Sequence, residues 1–324
     1  MRALFLGGFA ASVAPRILAK VKTPLATEIL ADERDAARLV PLLADADIVV
    51  GHIWRAAFPA APRMRLLQSV AAGLDQVDLA AVPKGVTLCN VFGHESAIAE
   101  YVIMTMLVLT HRLFDTVRTF RAGSWSAHQP AGGSPHGEML GRTVGILGYG
   151  RVGREVAKRA VGFGCKVIAA NRSPIADPAP AEEVFPLAEL DRMLPQCDAL
   201  VIAAGLAPEA RGLIDAHRLA LMKPTVLLVN IARAAIVDEE ALYAALRDGR
   251  LAGAALDVWW QTWSGAHPDV RPSRFPYHEL PSVLMTPHCS GFTEGTADRR
   301  WSAVAGNLDR FASGEPLENV VLQT

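Results

Sequence analysis

The sequence contains little cysteine and almost no net charge. Its four cysteines, Cys89, Cys165, Cys197 and Cys289, are scattered through 324 residues without a CxxC pair. This spacing predicts reduced thiols in a cytoplasmic protein and argues against a disulfide framework or a zinc site. The formal net charge of −1 argues against a general nucleic-acid or membrane-surface binder. We therefore expect no metal, no nucleic-acid partner and no membrane partner.

Long hydrophobic runs are also missing. The longest apolar stretch, residues 101–110, is far shorter than the roughly 20 residues that span a bilayer. The amino terminus, MRALFLGGFAASVAPR, fits either a secretory signal or a first strand over residues 3–6 followed by a Gly-Gly turn and a helix. The single basic residue Arg2 and the cysteine pattern favour the strand.

The sequence does contain enough apolar residues for the cores of two domains, and short apolar segments recur along it. It is 51% hydrophobic, and its length fits about two domains of ordinary size. Short apolar segments alternate with amphipathic helical ones, which is typical of parallel sheets. A first set of predicted strands covers residues 3–6, 48–50, 66–70 and 86–90. It is followed by a predicted helix over 96–114 and an extended segment over 121–140. A second set of predicted strands covers residues 143–147, 166–170, 199–203, 226–231, 254–258 and 283–286. The predicted fold class is α/β, with two doubly wound, Rossmann-like domains built on parallel sheets.

A glycine-rich loop follows the first strand of the second set. The stretch GILGYGRVG, residues 145–153, places Gly148, Gly150 and Gly153 between a predicted strand and a predicted helix. In that context Gly148 allows a tight turn, Gly150 lets a pyrophosphate approach, and Gly153 lets the helix pack closely on the strand. An ordinary glycine-rich turn is the alternative. The flanking strand and helix favour dinucleotide binding at the helix N-terminus.

The end of the next strand bears on which dinucleotide binds. NAD sites usually carry an acidic residue there for the ribose 2′-hydroxyl, but this chain has Asn171, Arg172 and Ser173. Because these side chains donate hydrogen bonds and Arg172 adds positive charge, they suit a 2′-phosphate. NADP(H) is therefore favoured, with NAD(H) possible if Arg172 is only a loop arginine stacked on the adenine.

Three further strand ends carry charged or titratable side chains. Arg233 follows the strand predicted over 226–231, Asp257 lies at the end of the strand over 254–258, and His288 follows the strand over 283–286. Ligands of open α/β sheets bind outside the carboxyl ends of the strands. A guanidinium suits a carboxylate substrate, and an imidazole suits proton transfer during hydride transfer to a carbonyl.

These motifs together resemble the D-isomer-specific 2-hydroxyacid dehydrogenases. The resemblance extends over nearly the whole chain and includes SVAAGLDQVDL (69–79), NVFGHESAIAEYV (90–102), GYGRVG (148–153), NIARAAIVDEEAL (230–242), GAALDVWW (253–260), TPHCSG (286–291) and GEPLENVV (314–321). It implies a substrate domain formed by residues 1–96 and 291–324, with a cofactor domain, residues 97–290, inserted between them. It also implies a homodimer, in which the arm after Phe114 reaches the partner.

The resemblance assigns roles to individual residues. Arg233 would hold the substrate carboxylate and carbonyl, His288 would be the general acid and base, and Asp257 would accept a hydrogen bond from the nicotinamide carboxamide. Backbone N–H groups of a loop would bind the substrate carboxylate; its residues are Val70, Ala71, Ala72 and Gly73. The expected cofactor-binding residues are Gly148, Tyr149, Gly150, Arg151, Val152, Gly153, Asn171, Arg172, Ser173, Ala204, Gly205, Ile231, Ala232, Arg233, Asp257 and His288.

Two positions depart from the family pattern. Ala234 replaces the usual glycine after the arginine, which is a mild change. The family also has a glutamate five residues after the Asp257 position, which pairs with the histidine, and here that position is Thr262. Gln261, which would act as in formate dehydrogenases, and Glu279 are two candidates to pair with His288 instead.

Three functions are compatible with these residues. The first is an NADPH-dependent reductase of a small 2-oxoacid, of the glyoxylate or hydroxypyruvate type. The second, suggested by Gln261, is oxidation of the formate-dehydrogenase type. The third is a non-catalytic, dinucleotide-sensing binding protein, as in the corepressor relatives of the family. Retention of Arg233 and His288 favours an enzyme. Trp259, Trp260 and Trp263 fit either a substrate wall or core packing.

Overall fold

The computed structural model describes residues 1–263 and 269–323 and divides the chain into two compact units. The terminal unit comprises Met1–His94 and Thr293–Thr324, and the central unit comprises Glu95–Phe292. Each boundary lies two residues from the one expected from the sequence, because the helix that opens the central unit begins at Glu95. Both units are α/β with parallel strands, so the predicted fold class is confirmed.

The terminal unit is built on a six-stranded sheet in the order β13-β5-β4-β3-β1-β2. Its strands are β1 (Arg2–Leu6), β2 (Ala26–Leu30), β3 (Ile48–Val50), β4 (Leu66–Gln68), β5 (Thr87–Cys89) and β13 (Val320–Gln323). Its helices are α1 (Gly8–Leu18), α2 (Ala36–Asp45) and α9 (Glu294–Ser313). Every pair is parallel except β13 with β5, which is antiparallel.

The central unit is built on a seven-stranded sheet in the order β12-β11-β10-β9-β6-β7-β8, with all pairs parallel. Its strands are β6 (Thr143–Leu147), β7 (Lys166–Asn171), β8 (Glu183–Pro186), β9 (Ala199–Ile202), β10 (Leu227–Asn230), β11 (Gly253–Leu256) and β12 (Val283–Met285). Its helices are α3 (Glu95–Thr110), α4 (Leu113–Arg121), α5 (Arg151–Gly162), α6 (Leu190–Met193), α7 (Ala216–Leu221) and α8 (Glu239–Arg247). The chain reverses its strand order between β6 and β9, which is where doubly wound sheets bind ligands.

The strands of the central sheet are apolar throughout because both faces are covered. In β6, Val144 and Ile146 pack into the core on one face, while Leu147 packs into the core on the other. Gly145 lies between them, where an added Cβ would come within 2.3 Å of the Cys197 sulfur. Strands buried on both sides read as continuous apolar runs, which explains why the sequence revealed them.

Some elements differ from those predicted. The helix expected over 96–114 ends at Thr110, because Arg112 adopts a left-handed backbone (φ 50°), and α4 then begins at Leu113. Strands β2, β8 and β13 were not predicted, because they are sheet edges with largely exposed or mixed side chains. Among the described helices none is long and apolar enough to cross a membrane alone, whereas α3 and α4 together pass by length and composition but are bent by 58°.

Candidate active site

The glycine loop joins β6 to α5 through a turn that only glycine fits. Gly148 has a left-handed backbone (φ 96°), and a Cβ there would lie 2.5 Å from the Ala204 nitrogen. A Cβ at Gly153 would lie 2.3 Å from the Gly148 oxygen, so this glycine brings α5 close to the loop. The loop is therefore held against the segment after β9, which contains Ala204 and Gly205; the cofactor contact predicted for these two residues stays a prediction.

The middle of the loop fits a dinucleotide pyrophosphate. Gly150 precedes the first turn of α5, and a Cβ built there would meet no atom within 4 Å. The first N–H groups of a helix, here at Arg151, Val152 and Gly153, have no acceptor within the helix and carry the positive end of its dipole. An open face over such a helix end suits an anion, so these residues fit the phosphate-binding role predicted for them.

Two of the predicted cofactor residues, Tyr149 and Asn171, hold each other in place. The Tyr149 N–H donates to Asn171 Oδ1 at 3.0 Å, and Asn171 Nδ2 donates to the Ser173 carbonyl at 2.8 Å. The Tyr149 side chain is buried, and its hydroxyl accepts from the Ala181 N–H at 3.1 Å. Asn171 therefore fixes the glycine loop to the end of β7, and these two bonds use one donor and one acceptor position of its amide.

Arg172, the next residue, is exposed beyond the end of β7. Its Nη1 lies 3.0 Å from Glu209 Oε1, in the short helical turn Pro208–Ala210 that follows β9. Sequence reasoning did not identify Glu209, because the pair joins two loops 37 residues apart.

Arg233 follows β10 in a loop organised by a buried asparagine. Asn230 Oδ1 accepts from the Ala232 N–H at 3.1 Å, and Asn230 Nδ2 donates to the Arg233 carbonyl at 3.1 Å. The Arg233 guanidinium donates to the Ala232 carbonyl at 2.8 Å. Ile231 and Ala232 are buried, and the cofactor contact predicted for them stays a prediction. Asn230 thus fixes the backbone of the turn that carries Arg233 at the carboxyl end of β10.

Asp257 is fully buried and ties together the turn that carries His288. Its Oδ1 accepts from the Thr286 hydroxyl at 2.6 Å and from the Cys289 N–H at 2.9 Å, and its Oδ2 accepts from the Ser290 N–H at 2.9 Å. These bonds use most of the carboxylate's acceptor capacity. Asp257 therefore positions the turn in this structure; the nicotinamide contact predicted for it remains a prediction.

The same network reaches helix α3. The hydroxyls of Tyr101 and Thr286 lie 2.6 Å apart, and the Trp259 indole N–H donates to the Thr286 carbonyl at 2.8 Å. Burial is the main cause that raises the pKa of Tyr101 to about 12, so this hydroxyl keeps its proton at neutral pH. Sequence reasoning missed Tyr101 and Thr286, although a threonine directly before a Pro-His pair at a strand end was a visible signal.

His288 has a left-handed backbone (φ 56°) and is an exposed residue whose imidazole is partly enclosed by neighbouring protein atoms. Enclosure lowers the pKa of His288 below its ordinary value of 6.5; the Arg233 charge also lowers this pKa, whereas the Asp257 charge raises it. A histidine, an arginine and an aspartate therefore act on one another at the carboxyl ends of β10, β11 and β12.

A cavity of about 510 Å³ lies beside His288. Its walls are mainly apolar and include Trp259, Trp263, Met285, Gln261 and Thr262. Among the described residues neither Gln261 nor Thr262 forms a side-chain hydrogen bond to His288, so the Gln261–His288 pair remains a prediction. Glu279 is exposed in the turn Tyr277–Glu279, and its Oε1 lies 3.9 Å from Nε2 of the neighbouring His278. The structure thus gives no support to Glu279 as the partner of His288.

The three tryptophans have different environments. Trp260 stacks on the buried Tyr277 with ring centroids 5.6 Å apart, and its indole N–H donates to the Val237 carbonyl. Trp259 packs against the same core and also lines the cavity, whereas Trp263 is 71% exposed at the cavity wall. Trp260 is therefore a core residue, and Trp259 and Trp263 are the cavity residues.

In the terminal unit, Val70–Gly73 follow β4 as predicted. Val70 is buried, and the Ala71 N–H donates to the Ser69 hydroxyl at 3.1 Å, so this N–H already has an acceptor. The N–H groups of Ala72 and Gly73 donate to no protein acceptor within the described residues. These two positions are the ones in the loop that fit the predicted carboxylate contact.

Fold and site define a class of protein. A glycine loop at the switch point of a doubly wound sheet, with an arginine and a histidine after two further strands of the same sheet, is the arrangement of a dinucleotide-dependent oxidoreductase. Residues 103–290 match the D-isomer specific 2-hydroxyacid dehydrogenase, NAD binding domain. The chain belongs to the D-isomer-specific 2-hydroxyacid dehydrogenase family, and its activity is that of a D-2-hydroxyacid dehydrogenase.

Individual relatives agree with this assignment. The glyoxylate reductase of Thermococcus onnurineus is 34% identical over 306 residues, covering 90% of this chain and 84% of the relative. The mitochondrial formate dehydrogenase of Hordeum vulgare is 34% identical over 268 residues, covering 80% and 67%. The solved structure of a 2-hydroxyacid dehydrogenase from Ketogulonicigenium vulgare superposes with a TM-score of 0.81 at 28% identity, covering 99% and 98%.

The surroundings of His288 predict an acid-shifted pH profile. Reduction needs the protonated imidazole, and enclosure has lowered the pKa of His288 below 6.5. The donor is therefore lost as pH rises through weakly acidic values, and kcat/KM for 2-oxoacid reduction should fall from there toward alkaline pH. Oxidation of the 2-hydroxyacid needs the neutral ring as base and should show the opposite slope. Initial rates in both directions between about pH 5 and 9 test this.

The variant Thr262→Glu is a direct control for this profile. It places a carboxylate in the cavity beside His288, where a negative charge favours the imidazolium and raises its pKa. The falling limb for reduction should then move to higher pH. A wild-type profile that stays flat above about pH 8 would contradict the inferred environment of His288.

Proposed function

We propose that this protein reduces a small 2-oxoacid of the glyoxylate or hydroxypyruvate type to its D-2-hydroxyacid and prefers NADPH to NADH. The observation that carries the proposal is the position of Arg233 after β10 and of His288 after β12, in the same parallel sheet whose strand β6 leads into the glycine loop. The names of the glyoxylate reductase relatives support the substrate type. In the cell we propose a cytoplasmic location, in keeping with four free thiols.

The residues supply what the reaction needs beyond the hydride. The bound cofactor supplies a hydride to the carbonyl carbon of the substrate. Arg233 holds the carboxylate of the 2-oxoacid through two parallel N–H donors, which fixes the carbonyl relative to the ring of His288. As the carbonyl oxygen gains charge, His288 donates a proton to it and becomes neutral. Asp257 keeps the turn of His288 in place through its bonds to Thr286, Cys289 and Ser290.

The cofactor preference is supported by the end of β7, which has no acidic residue and presents Arg172. The variant Arg172→Ala should remove most of the preference for NADPH. One charge-assisted contact contributes about 1.5–3 kcal/mol, so we expect the ratio of kcat/KM values for NADPH and NADH to fall about tenfold to a hundredfold. Arg192→Ala, which removes another exposed arginine of the central unit, is the matched control. Equal efficiency of the wild type with NADH would refute the preference itself.

Formate oxidation is the second candidate, favoured by the formate dehydrogenase relatives and by Gln261 in the cavity beside His288. Formate releases a hydride and becomes carbon dioxide without proton transfer to a base. The two functions are separated by assaying glyoxylate, hydroxypyruvate and pyruvate against formate, with both cofactors, by nicotinamide absorbance. If formate is oxidised and none of the three 2-oxoacids is reduced, the proposed reductase function is overturned.

We also propose that the protein is a homodimer. Helix α4 has an amphipathic sequence but no buried residue, and the apolar side chains exposed on it and just after it are Leu113, Phe114, Val117, Phe120 and Trp125. Such a patch is characteristic of an interface between chains. The molar mass in solution, measured by light scattering, tests this.

A further inference from the structure

We propose that Glu209 sets the strength of the cofactor preference by competing with the 2′-phosphate for Arg172. This inference rests on the proposed use of NADPH, and it assigns to Glu209 a role in specificity. It starts from the sheet order, in which β6 lies between β7 and β9. Arg172 directly follows β7, and Glu209 lies in the turn that follows β9.

The ion pair therefore joins the loops on either side of the strand that bears the glycine loop. The distance from Arg172 Nη1 to Glu209 Oε1 is 3.0 Å, and the two side chains are 66% and 50% exposed. The adenosine end of a dinucleotide bound to such a sheet lies at this edge, next to the end of the strand after the glycine loop. The pair thus occupies the place where a 2′-phosphate is recognised.

Arg172 is the cation that directly follows β7, where a 2′-phosphate is recognised. The neighbouring Asn171 amide already accepts from the Tyr149 N–H and donates to the Ser173 carbonyl. Binding of NADPH therefore requires Arg172 to exchange Glu209 for the phosphate, and the displaced carboxylate then stands near a group carrying almost two negative charges. Both effects oppose NADPH binding.

Binding of NADH does not require the Arg172–Glu209 ion pair to separate. Its ribose 2′-hydroxyl is a donor, and a carboxylate is the usual acceptor for it in NAD sites. Glu209 can keep its contact with Arg172 and accept this hydroxyl with its second oxygen. The Glu209 carboxylate therefore reduces the difference in affinity between NADPH and NADH, because it disfavours binding of NADPH and favours binding of NADH.

The test is the variant Glu209→Gln, which keeps the size of the side chain and removes its charge. An exposed ion pair has a small effect on affinity, up to a factor of about five. We expect the Kd of NADPH to fall about two- to fivefold, while the Kd of NADH stays constant or rises. Calorimetry with 2′,5′-ADP and 5′-AMP on the full chain should show the same change for the phosphate-bearing fragment alone.

The variant Asp248→Asn is the matched control. It breaks another exposed arginine–carboxylate pair, with Arg247, at the end of α8, where the chain has returned to the opposite edge of the sheet. It should leave both Kd values unchanged. In an Arg172→Ala background, Glu209→Gln should lose most of its effect, because the two residues act as a pair.

The outcomes separate this inference from the cofactor preference. If Arg172→Ala lowers the NADPH preference but Glu209→Gln leaves the ratio of Kd values unchanged, competition by Glu209 is refuted and the NADPH preference stands. If the wild type binds NADH more tightly and Arg172→Ala changes nothing, the proposed preference fails. A decrease of NADPH affinity in Glu209→Gln would show that Glu209 orients Arg172 toward the phosphate and would overturn the competition.

Discussion

Replacing His288 with asparagine should lower kcat/KM for 2-oxoacid reduction by about 10²- to 10⁴-fold, the usual contribution of a positioned general acid. Asparagine is chosen because His288 has φ 56°, a left-handed conformation that asparagine tolerates better than most residues. The loss follows from the need to protonate the carbonyl oxygen as the hydride arrives, a step for which asparagine has no proton to give. Single-turnover reduction of glyoxylate with NADPH measures it.

The binding of NADPH and the thermal unfolding midpoint serve as controls for His288→Asn. Both should remain close to the wild type, since the bonds of Asp257 to the turn come from Thr286 and from the backbone N–H groups of Cys289 and Ser290. Reduction at nearly wild-type rates would remove the proton donor from the proposed reaction. With cofactor binding retained, the dinucleotide-sensing protein would then be the better description.

Much of the cofactor site could be predicted from the sequence because its determinants are local. A buried parallel strand gives a continuous apolar run, and a glycine loop that joins it to a helix has a fixed spacing. Arg233, Asp257 and His288 could be found for a related reason: each follows such a run within a few residues, and parallel strands deliver their carboxyl ends to one edge.

The contacts that make these residues work could not be predicted in the same way. Tyr101 and Thr286 are 185 residues apart, and Glu209 meets Arg172 across two loops, so no local spacing reveals either pair. The sequence also presented Asn171 as a ligand for the cofactor, whereas its amide bonds to the Tyr149 N–H and the Ser173 carbonyl in this structure. Local patterns show which side chains reach the edge of a sheet, but partner choice there depends on tertiary packing.

The edge strands show the same limit in the fold. β2 is exposed along most of its length and contains Thr27 and Glu28, so its sequence has no apolar run to detect. It forms because β1 offers a parallel partner from Arg2 to Leu6. β13 likewise depends on its pairing with β5, which the sequence places more than 200 residues earlier.

Substitution of Arg233 by lysine should lower kcat/KM, although the positive charge is kept. The guanidinium already donates from Nη1 to the Ala232 carbonyl, and a forked cation can do this while presenting further N–H groups to a carboxylate. The single ammonium of lysine gives up either the backbone contact or the parallel pair of bonds to the substrate. Losing one charge-assisted bond costs about 1.5–3 kcal/mol, which predicts a fall in kcat/KM of roughly tenfold to a hundredfold for Arg233→Lys.

The distribution of this loss between binding and turnover identifies what Arg233 does. Because the arginine orients the carbonyl as well as holding the carboxylate, kcat should fall together with a rise in KM, while the Kd of NADPH changes little. The variant Arg250→Lys, at an exposed pair with Asp248, controls for general effects of the substitution and should behave as the wild type. A change in KM alone would restrict the role of Arg233 to holding the carboxylate. Nearly normal turnover in Arg233→Lys would mean that another group binds the carboxylate. The N–H groups of Ala72 and Gly73 would then be the first candidates.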